Sequence, residues 1–199
     1  MKRTAHLDWS RNGKYVGQIY LTNRAGTVDV SDPCYTSDVW CRERVQQVHP
    51  GFYDCYVECA QCGVWGRRVA RILIVHGEQP EDTIQDIFDG LEELEDSDYE
   101  IDEDTKVIGV DSGMAGFFDT EAFDFDAEKV WDDPHTFYGA CCEAVGEGSD
   151  GYGIVGHWGF VSSTGFGDGG YTLRLLKDRE KEEVIAMELA FLSEEDFYG

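Results

Sequence analysis

Alternating apolar and polar residues run through most of the chain and predict a structure made mainly of β-strands. Asn12-Gly13 separates two β-rich runs, 5–9 and 15–21. It predicts a β-hairpin, because a type I′ turn requires positive φ at both central residues. A second hairpin is expected from the runs 52–59 and 68–75, which a turn at 63–66 connects. Further strands are predicted at 27–30, 106–110, 171–175 and 185–191.

Two segments change to the 3.6-residue period of an α-helix. In segment 82–95, one helical face would carry the apolar residues Ile84, Ile87, Phe88, Leu91 and Leu94. In segment 134–145, Pro134 suits the first turn of a helix. Eight or so strands with two helices predict an α+β fold with a mainly antiparallel, sandwich-like β-sheet. We expect a single domain, 1–199, with an acidic helical insertion at 78–105.

The acidic residues are concentrated in one stretch, which changes the picture of possible partners. The net charge is −25, and residues 78–133 hold 22 of the 41 acids but two of the 16 bases. A protein adapted to high salt would spread its acids over the whole chain. A local acidic face repels nucleic acid and anionic lipid, and it attracts cations or a basic protein partner. The alternative is a solvated acidic surface without a partner.

The sequence also predicts where the protein works. No uncharged apolar run approaches the roughly 20 residues that cross a bilayer, and the first ten residues do not resemble a secretory signal. Seven cysteines without the spacing of a disulfide scaffold favour reduced thiols. We therefore expect no membrane association and a cytoplasmic location.

Three segments place aspartate beside glycine, serine or proline at strand ends: 31–35, 110–119 and 163–171. Carboxylate and backbone oxygens are the ligands that Mg²⁺ and Ca²⁺ prefer. The candidate ligand-binding residues are Asp32, Cys34, Asp111, Ser112, Asp119 and Asp168, and the candidate metal ligands are Asp32, Asp111 and Asp168. The competing interpretation is ordinary turn chemistry, in which each aspartate bonds to nearby backbone.

Together with Pro50-Gly51-Phe52-Tyr53 and the motif at 65–70, Trp-Gly-Arg-Arg-Val-Ala, these segments resemble the bacterial and phage family named domain of unknown function 4241. The resemblance touches most of the chain at short motifs, but it does not include segment 82–95. It implies an accessory protein that acts inside a bacterial cell, in the host cytoplasm if a phage encodes it. It implies no activity.

The cysteines give weaker signals. Cys55, Cys59 and Cys62 have the C-x₃-C-x₂-C spacing that resembles the iron–sulfur triad of radical S-adenosylmethionine enzymes, but a hairpin in a mostly antiparallel chain is the wrong context. A zinc site completed by Cys41 or His76 is the alternative. Burial as small apolar side chains is favoured over both. Cys34 could act as a nucleophile with His157 or His76 as its base.

Three functional hypotheses follow, and the sequence does not decide whether the protein is an enzyme. The first is a binding or regulatory module in which the Asp/Gly turns form a pocket for a small polar ligand or a divalent ion. The second is a metal-dependent hydrolase that uses the same aspartates. The third is an acidic inhibitor that mimics nucleic acid and binds a basic partner. The first ranks ahead, because the turn aspartates are more distinctive than the charge run.

Overall fold

Two antiparallel β-sheets packed face to face form the frame of the protein, seen in a computed structural model. The structure describes residues 13–22, 26–35, 40–79, 97–102, 106–125 and 132–193, together with Ile84, Ile87 and Phe88. Its strands are β1 (Lys14–Leu21), β2 (Thr27–Ser31), β3 (Arg42–Gln46), β4 (Gly51–Gln61), β5 (Arg67–His76), β6 (Tyr99–Ile101), β7 (Lys106–Val110), β8 (Met114–Asp119), β9 (Tyr152–Val155), β10 (Gly159–Ser163), β11 (Gly169–Asp178) and β12 (Glu183–Ala190).

The first sheet has the order β1-β4-β5-β12-β11-β6, and β7 also pairs with β11. The second sheet has the order β3-β2-β8-β10-β9. The helices whose bounds the structure describes are α1 (Thr120–Phe125), α2 (Phe137–Val145) and a 3₁₀ turn at Gly63–Trp65. This arrangement confirms the predicted α+β, sandwich-like fold. None of these helices has the length and apolar character that a bilayer span requires.

The main core lies between the sheets, and strand alternation explains how it forms. Ile72 and Ile74 of β5 point into this core, while Leu73 and Val75 point to the outer face of the first sheet. That outer face packs against the apolar side chains of segment 84–88, which are helical where the structure describes them. Residues 72–75 of β5 are therefore buried on both faces, which is why they form a continuous apolar run.

Helix α2 covers the outer face of the second sheet. Phe137 and Cys141 of α2 pack against Phe118 of β8 and Val161 of β10. The helix begins three residues after Pro134, because the Thr136 hydroxyl accepts a hydrogen bond from the Gly139 amide at 3.1 Å and so caps the helix.

The pattern of apolar and polar residues predicted some strands correctly and missed others. The hairpin of β4 and β5, the strands β2 and β7, and the final pair β11 and β12 are confirmed. Strands β8 and β10 were missed, because burial on both faces leaves them without a clear alternation. The first strand of the predicted amino-terminal hairpin, and most of segment 78–105 with its predicted helix, lie outside the described residues.

Charged side chains are also buried, on the outer face of the first sheet. Arg71 is 3% exposed and donates to Glu58 at 2.7 Å and to Glu188 at 3.1 Å. Arg174 donates to the other oxygen of Glu188 at 2.7 Å. The two acids and two bases therefore neutralise one another inside the fold.

Candidate functional site

A cavity of about 540 Å³ opens near the start of β5. The 3₁₀ turn and β5 supply Trp65 and Arg68, and two of the three Asp/Gly segments supply Gly113 and residues 163–167. The segments that stood out in the sequence therefore form a wall of this cavity. Their aspartates do not line it, since Arg68 is the one charged side chain among the described residues of the lining.

Arg68 has the environment of a binding group. It is half-buried, and its Nε is shielded from solvent without a hydrogen-bond partner. No ion pair joins it to another described residue, although the chain carries a net charge of −25. A buried guanidinium N–H without an acceptor costs free energy, so an anionic ligand at this position is stabilised.

A β-bulge sets the position of Arg68. Glu58 pairs with Arg71 but the next residue, Cys59, pairs with Val69, so Ala70 is an extra residue in β5. The carbonyl of Ala70 accepts the amides of Phe191 and Leu192, at 2.8 and 3.1 Å, where the chain leaves β12. Bulges of this kind redirect side chains and end strand pairing. Arg68 consequently lies on a part of β5 that extends past its neighbour β12.

Two aromatic rings stand at the mouth of the cavity. Trp65 is 64% exposed and Phe166 is 50% exposed. Their ring centroids are 6.2 Å apart with an angle of 66° between the planes. Exposed aromatic rings beside a cationic group can stack on a planar ligand while the arginine holds its charge.

The opposite wall, residues 164–167, is a braced turn. The Thr164 hydroxyl donates to the Gly167 carbonyl at 2.7 Å, and the Gly167 amide donates to the Thr164 carbonyl at 2.6 Å. The Thr164 amide donates to the Gly113 carbonyl at 3.1 Å, which joins the two Asp/Gly segments. Gly167 has φ +108°, a conformation that favours glycine. The wall is therefore formed before any ligand arrives.

Asp32 braces this wall and is not exposed to the cavity. Its side chain is fully buried. One carboxylate oxygen accepts the amides of Asp111 and Ser112, at 2.9 and 2.8 Å. The other accepts the Cys34 amide at 2.8 Å and the Ser112 hydroxyl at 2.6 Å. All its hydrogen bonds come from neutral donors, which is the turn chemistry that competed with a metal site.

The other sequence-predicted aspartates divide into two groups. Gly169 of β11 pairs with Val110 of β7, so Asp168 and Asp111 follow at the same end of that ladder. Asp168 is exposed, and Asp111 accepts a hydrogen bond from the Tyr35 hydroxyl. Asp119 lies at the far end of β8, about 17 Å along the strand from its start. Its carboxylate accepts the amides of Thr22 at 2.8 Å and Glu121 at 3.0 Å, so it joins β1 to α1.

Cys34 meets α2 and no predicted base. Its thiol shares a hydrogen bond with the Tyr138 hydroxyl. Burial and the neighbouring thiols of Cys142 and Cys34 raise the pKa of Tyr138, so this hydroxyl stays protonated. His157 precedes β10 at the end of the second sheet near Asp119, and His76 ends β5 in the first sheet. The geometry therefore gives the proposed nucleophile neither histidine as a partner.

The described residues contain one cluster of three metal-ligating side chains, His49, His76 and Glu78. Neither the three candidate aspartates nor the C-x₃-C-x₂-C cysteines form such a cluster within the described part of the chain. Cys55 and Cys62 are buried among apolar side chains, and all seven cysteines are free thiols.

Comparison of the chain with protein-family models, curated proteins and solved structures finds no match. The resemblance to the family named domain of unknown function 4241 stays a prediction.

The sequence contained a signal for Arg68 that composition alone did not single out. Trp65-Gly66-Arg67-Arg68 places two bases and an aromatic ring at a turn between strands, in a chain with 16 bases and 41 acids. Only the structure shows that Arg67 pairs with Asp150, while Arg68 has no ion pair with another described residue.

Proposed function

We propose that the protein is a binding module whose cavity takes a small anionic molecule that carries a planar ring. The observation that carries this proposal is Arg68, a half-buried guanidinium with no ion-pair partner among the described residues, in the lining of a cavity of about 540 Å³. The ligand class deepens the first of the three hypotheses, and it replaces the aspartates by an arginine as the recognition group.

The charge of the ligand follows from the lining. Arg68 is the sole charged group among the described lining residues, and the surrounding protein is strongly acidic. A cation would meet repulsion from the guanidinium, whereas a carboxylate or phosphate can form paired hydrogen bonds with it. The net negative charge of the chain opposes long-range attraction of anions, so recognition depends on close contact.

The planar ring of the proposed ligand is inferred from the exposed aromatic side chains of Trp65 and Phe166. Both residues line the cavity and are at least half exposed. Covering that surface with a flat apolar group removes it from water, which contributes roughly 25 cal/mol per Å² of apolar area. A ligand with both features therefore uses both parts of the lining.

The first test is isothermal titration calorimetry with three probes: inorganic phosphate, benzoate and adenosine 5′-monophosphate. We expect the two ring-bearing probes to bind more tightly than phosphate. Arg68→Gln should weaken their binding about ten- to a hundredfold, because it removes charge-assisted hydrogen bonds of about 1.5–3 kcal/mol. Arg67→Gln is the matched control and should leave binding within twofold, since Arg67 pairs with Asp150 outside this cavity.

Phe166→Ala separates the two parts of the proposal. It should weaken benzoate and adenosine monophosphate binding and leave phosphate binding unchanged. Absence of saturable binding for all three probes, or equal effects of Arg68→Gln and Arg67→Gln, would contradict the proposed function.

The cellular setting is part of the same proposal. We infer a bacterial or phage accessory protein that works in the cytoplasm, from the motif resemblance and the seven free thiols. A basic protein partner for residues 78–133 remains the prediction for the acidic stretch, most of which lies outside the described residues.

A further inference from the structure

We propose a second, independent site: a divalent transition-metal centre of the zinc type formed by His49, His76 and Glu78. One ligand atom from each of these side chains lies within 4.8 Å of the other two. His49 precedes β4, His76 is the last residue of β5, and Glu78 follows in the next turn. The site lies at the end of β5 opposite Arg68, about 27 Å along the strand.

The hydrogen bonds of the two rings leave a lone pair on each. Nδ1 of His49 lies 2.5 Å from the Glu183 carboxylate, which can only accept, so this nitrogen carries a proton and Nε2 is the nitrogen with the lone pair in the neutral ring. Nε2 of His76 lies 3.0 Å from the Pro50 carbonyl, so it donates and Nδ1 has the lone pair. Metal-binding histidines show this pattern, with one nitrogen held by an oxygen and the other on the metal.

The hydrogen bond that competes with a metal for the lone pair of His76 is weak. Nδ1 of His76 accepts the Glu78 amide at 3.3 Å, beyond the usual range for such a bond. A metal would replace one long hydrogen bond and would gain the Glu78 carboxylate from the same turn.

The surrounding backbone holds the rings in place. The buried Tyr53 hydroxyl donates to the His49 carbonyl at 2.8 Å, and the His49 amide donates to the Val184 carbonyl at 2.9 Å. At Gly51 a Cβ atom would lie 2.6 Å from Nε2 of His76, so only glycine lets the ring pack there. The imidazole rings meet edge to face with centroids 4.5 Å apart.

The donor set decides the class of metal. Two imidazole nitrogens and one carboxylate suit zinc and its neighbours, whereas Mg²⁺ and Ca²⁺ prefer oxygen ligands alone. Three protein ligands leave one position of a tetrahedral site for water or for a bound molecule, as in catalytic zinc sites. His76 is buried and Glu78 is exposed, so that open position faces solvent.

The test is titration of the chelator-treated full chain with Co²⁺ alone, followed by visible absorption. We expect one ion per chain without the intense thiolate-to-cobalt band that cysteine ligation produces. Glu78→Gln changes an exposed residue, and it should weaken binding at least about tenfold. Glu183→Gln removes the acceptor for His49 and should weaken binding about 10- to 100-fold.

His157→Gln is the matched control, because His157 is an exposed histidine outside the cluster, and its binding should equal that of the unchanged protein. A thiolate band, no bound ion, or affinity unaltered in both Glu78→Gln and His49→Gln would overturn the metal site. None of these results bears on anion binding by Arg68, so the two proposals fail separately.

Discussion

Arg68 and Arg71 are three residues apart on β5 and have opposite surroundings. Arg71 is buried between Glu58 and Glu188, and both acids accept its hydrogen bonds. Arg68 lines a cavity, and its buried Nε has no partner. The bulge at Ala70 lies between them. Arg71 lies at the end of the pairing between β5 and β12 and so reaches Glu188, whereas Arg68 lies beyond the end of that pairing.

The same contrast holds for the aspartates. Asp32 is buried with four neutral donors around its carboxylate, and it stabilises the turn that forms the cavity wall. A polar group whose hydrogen bonds are complete contributes to stability, whereas one with an unused donor is free to bind. Substitutions can separate these two roles.

Arg71→Gln should lower the unfolding free energy more than any other substitution proposed here, and it tests the structural role of Arg71. It leaves Glu58 and Glu188 buried without their shared counter-charge, which costs about 3–5 kcal/mol of unfolding free energy. Urea denaturation monitored by circular dichroism measures it. A loss below about 1 kcal/mol would show that the network does not depend on Arg71.

Asp32→Ala should lower the unfolding free energy by about 3 kcal/mol, because it leaves the amides of Cys34, Asp111 and Ser112 and the Ser112 hydroxyl without their acceptor. The same denaturation experiment applies. Asp98→Ala removes an exposed aspartate and should change stability by less than about 0.5 kcal/mol. Equal effects of the two changes would contradict the structural role of Asp32.

Asp119→Ala should lower the unfolding free energy by about 2 kcal/mol. Asp119 caps the first turn of α1 through the Glu121 amide and also holds the Thr22 amide. Ligand binding at the distant Arg68 cavity should be unchanged in calorimetry. Weaker binding at unchanged stability would place Asp119 in a binding role and refute this assignment.

Arg68→Gln should have the smallest effect on stability, and it tests directly whether Arg68 differs in role from Arg71. Removing a buried donor without a partner should leave the unfolding free energy unchanged or raise it by up to about 1 kcal/mol. The variant should lose ligand binding all the same. A loss of more than about 2 kcal/mol would mean that Arg68 is structural, as Arg71 is.

The fold was more predictable than the site. Alternation located β2, β7, β11 and β12, and the break at 63–66 located the β4–β5 hairpin. The sequence predicted a site at the three Asp/Gly segments, and two of them line the cavity. The roles of their residues were not predictable, since a side chain that fills its hydrogen bonds locally and one that binds a ligand look alike in sequence.

Local patterns in the sequence determined the strands, the turns and the mainly antiparallel class, because these depend on residues close together in the chain. Tertiary structure alone decided which charges meet. Arg71 pairs with Glu188, which is 117 residues away in the sequence, and His49 pairs with Glu183, which is 134 residues away. Such pairings depend on the order and register of the strands, and within the described part of the chain they leave Arg68 without an ion pair. Long-range register has no local signature, so only the folded chain identifies the binding groups.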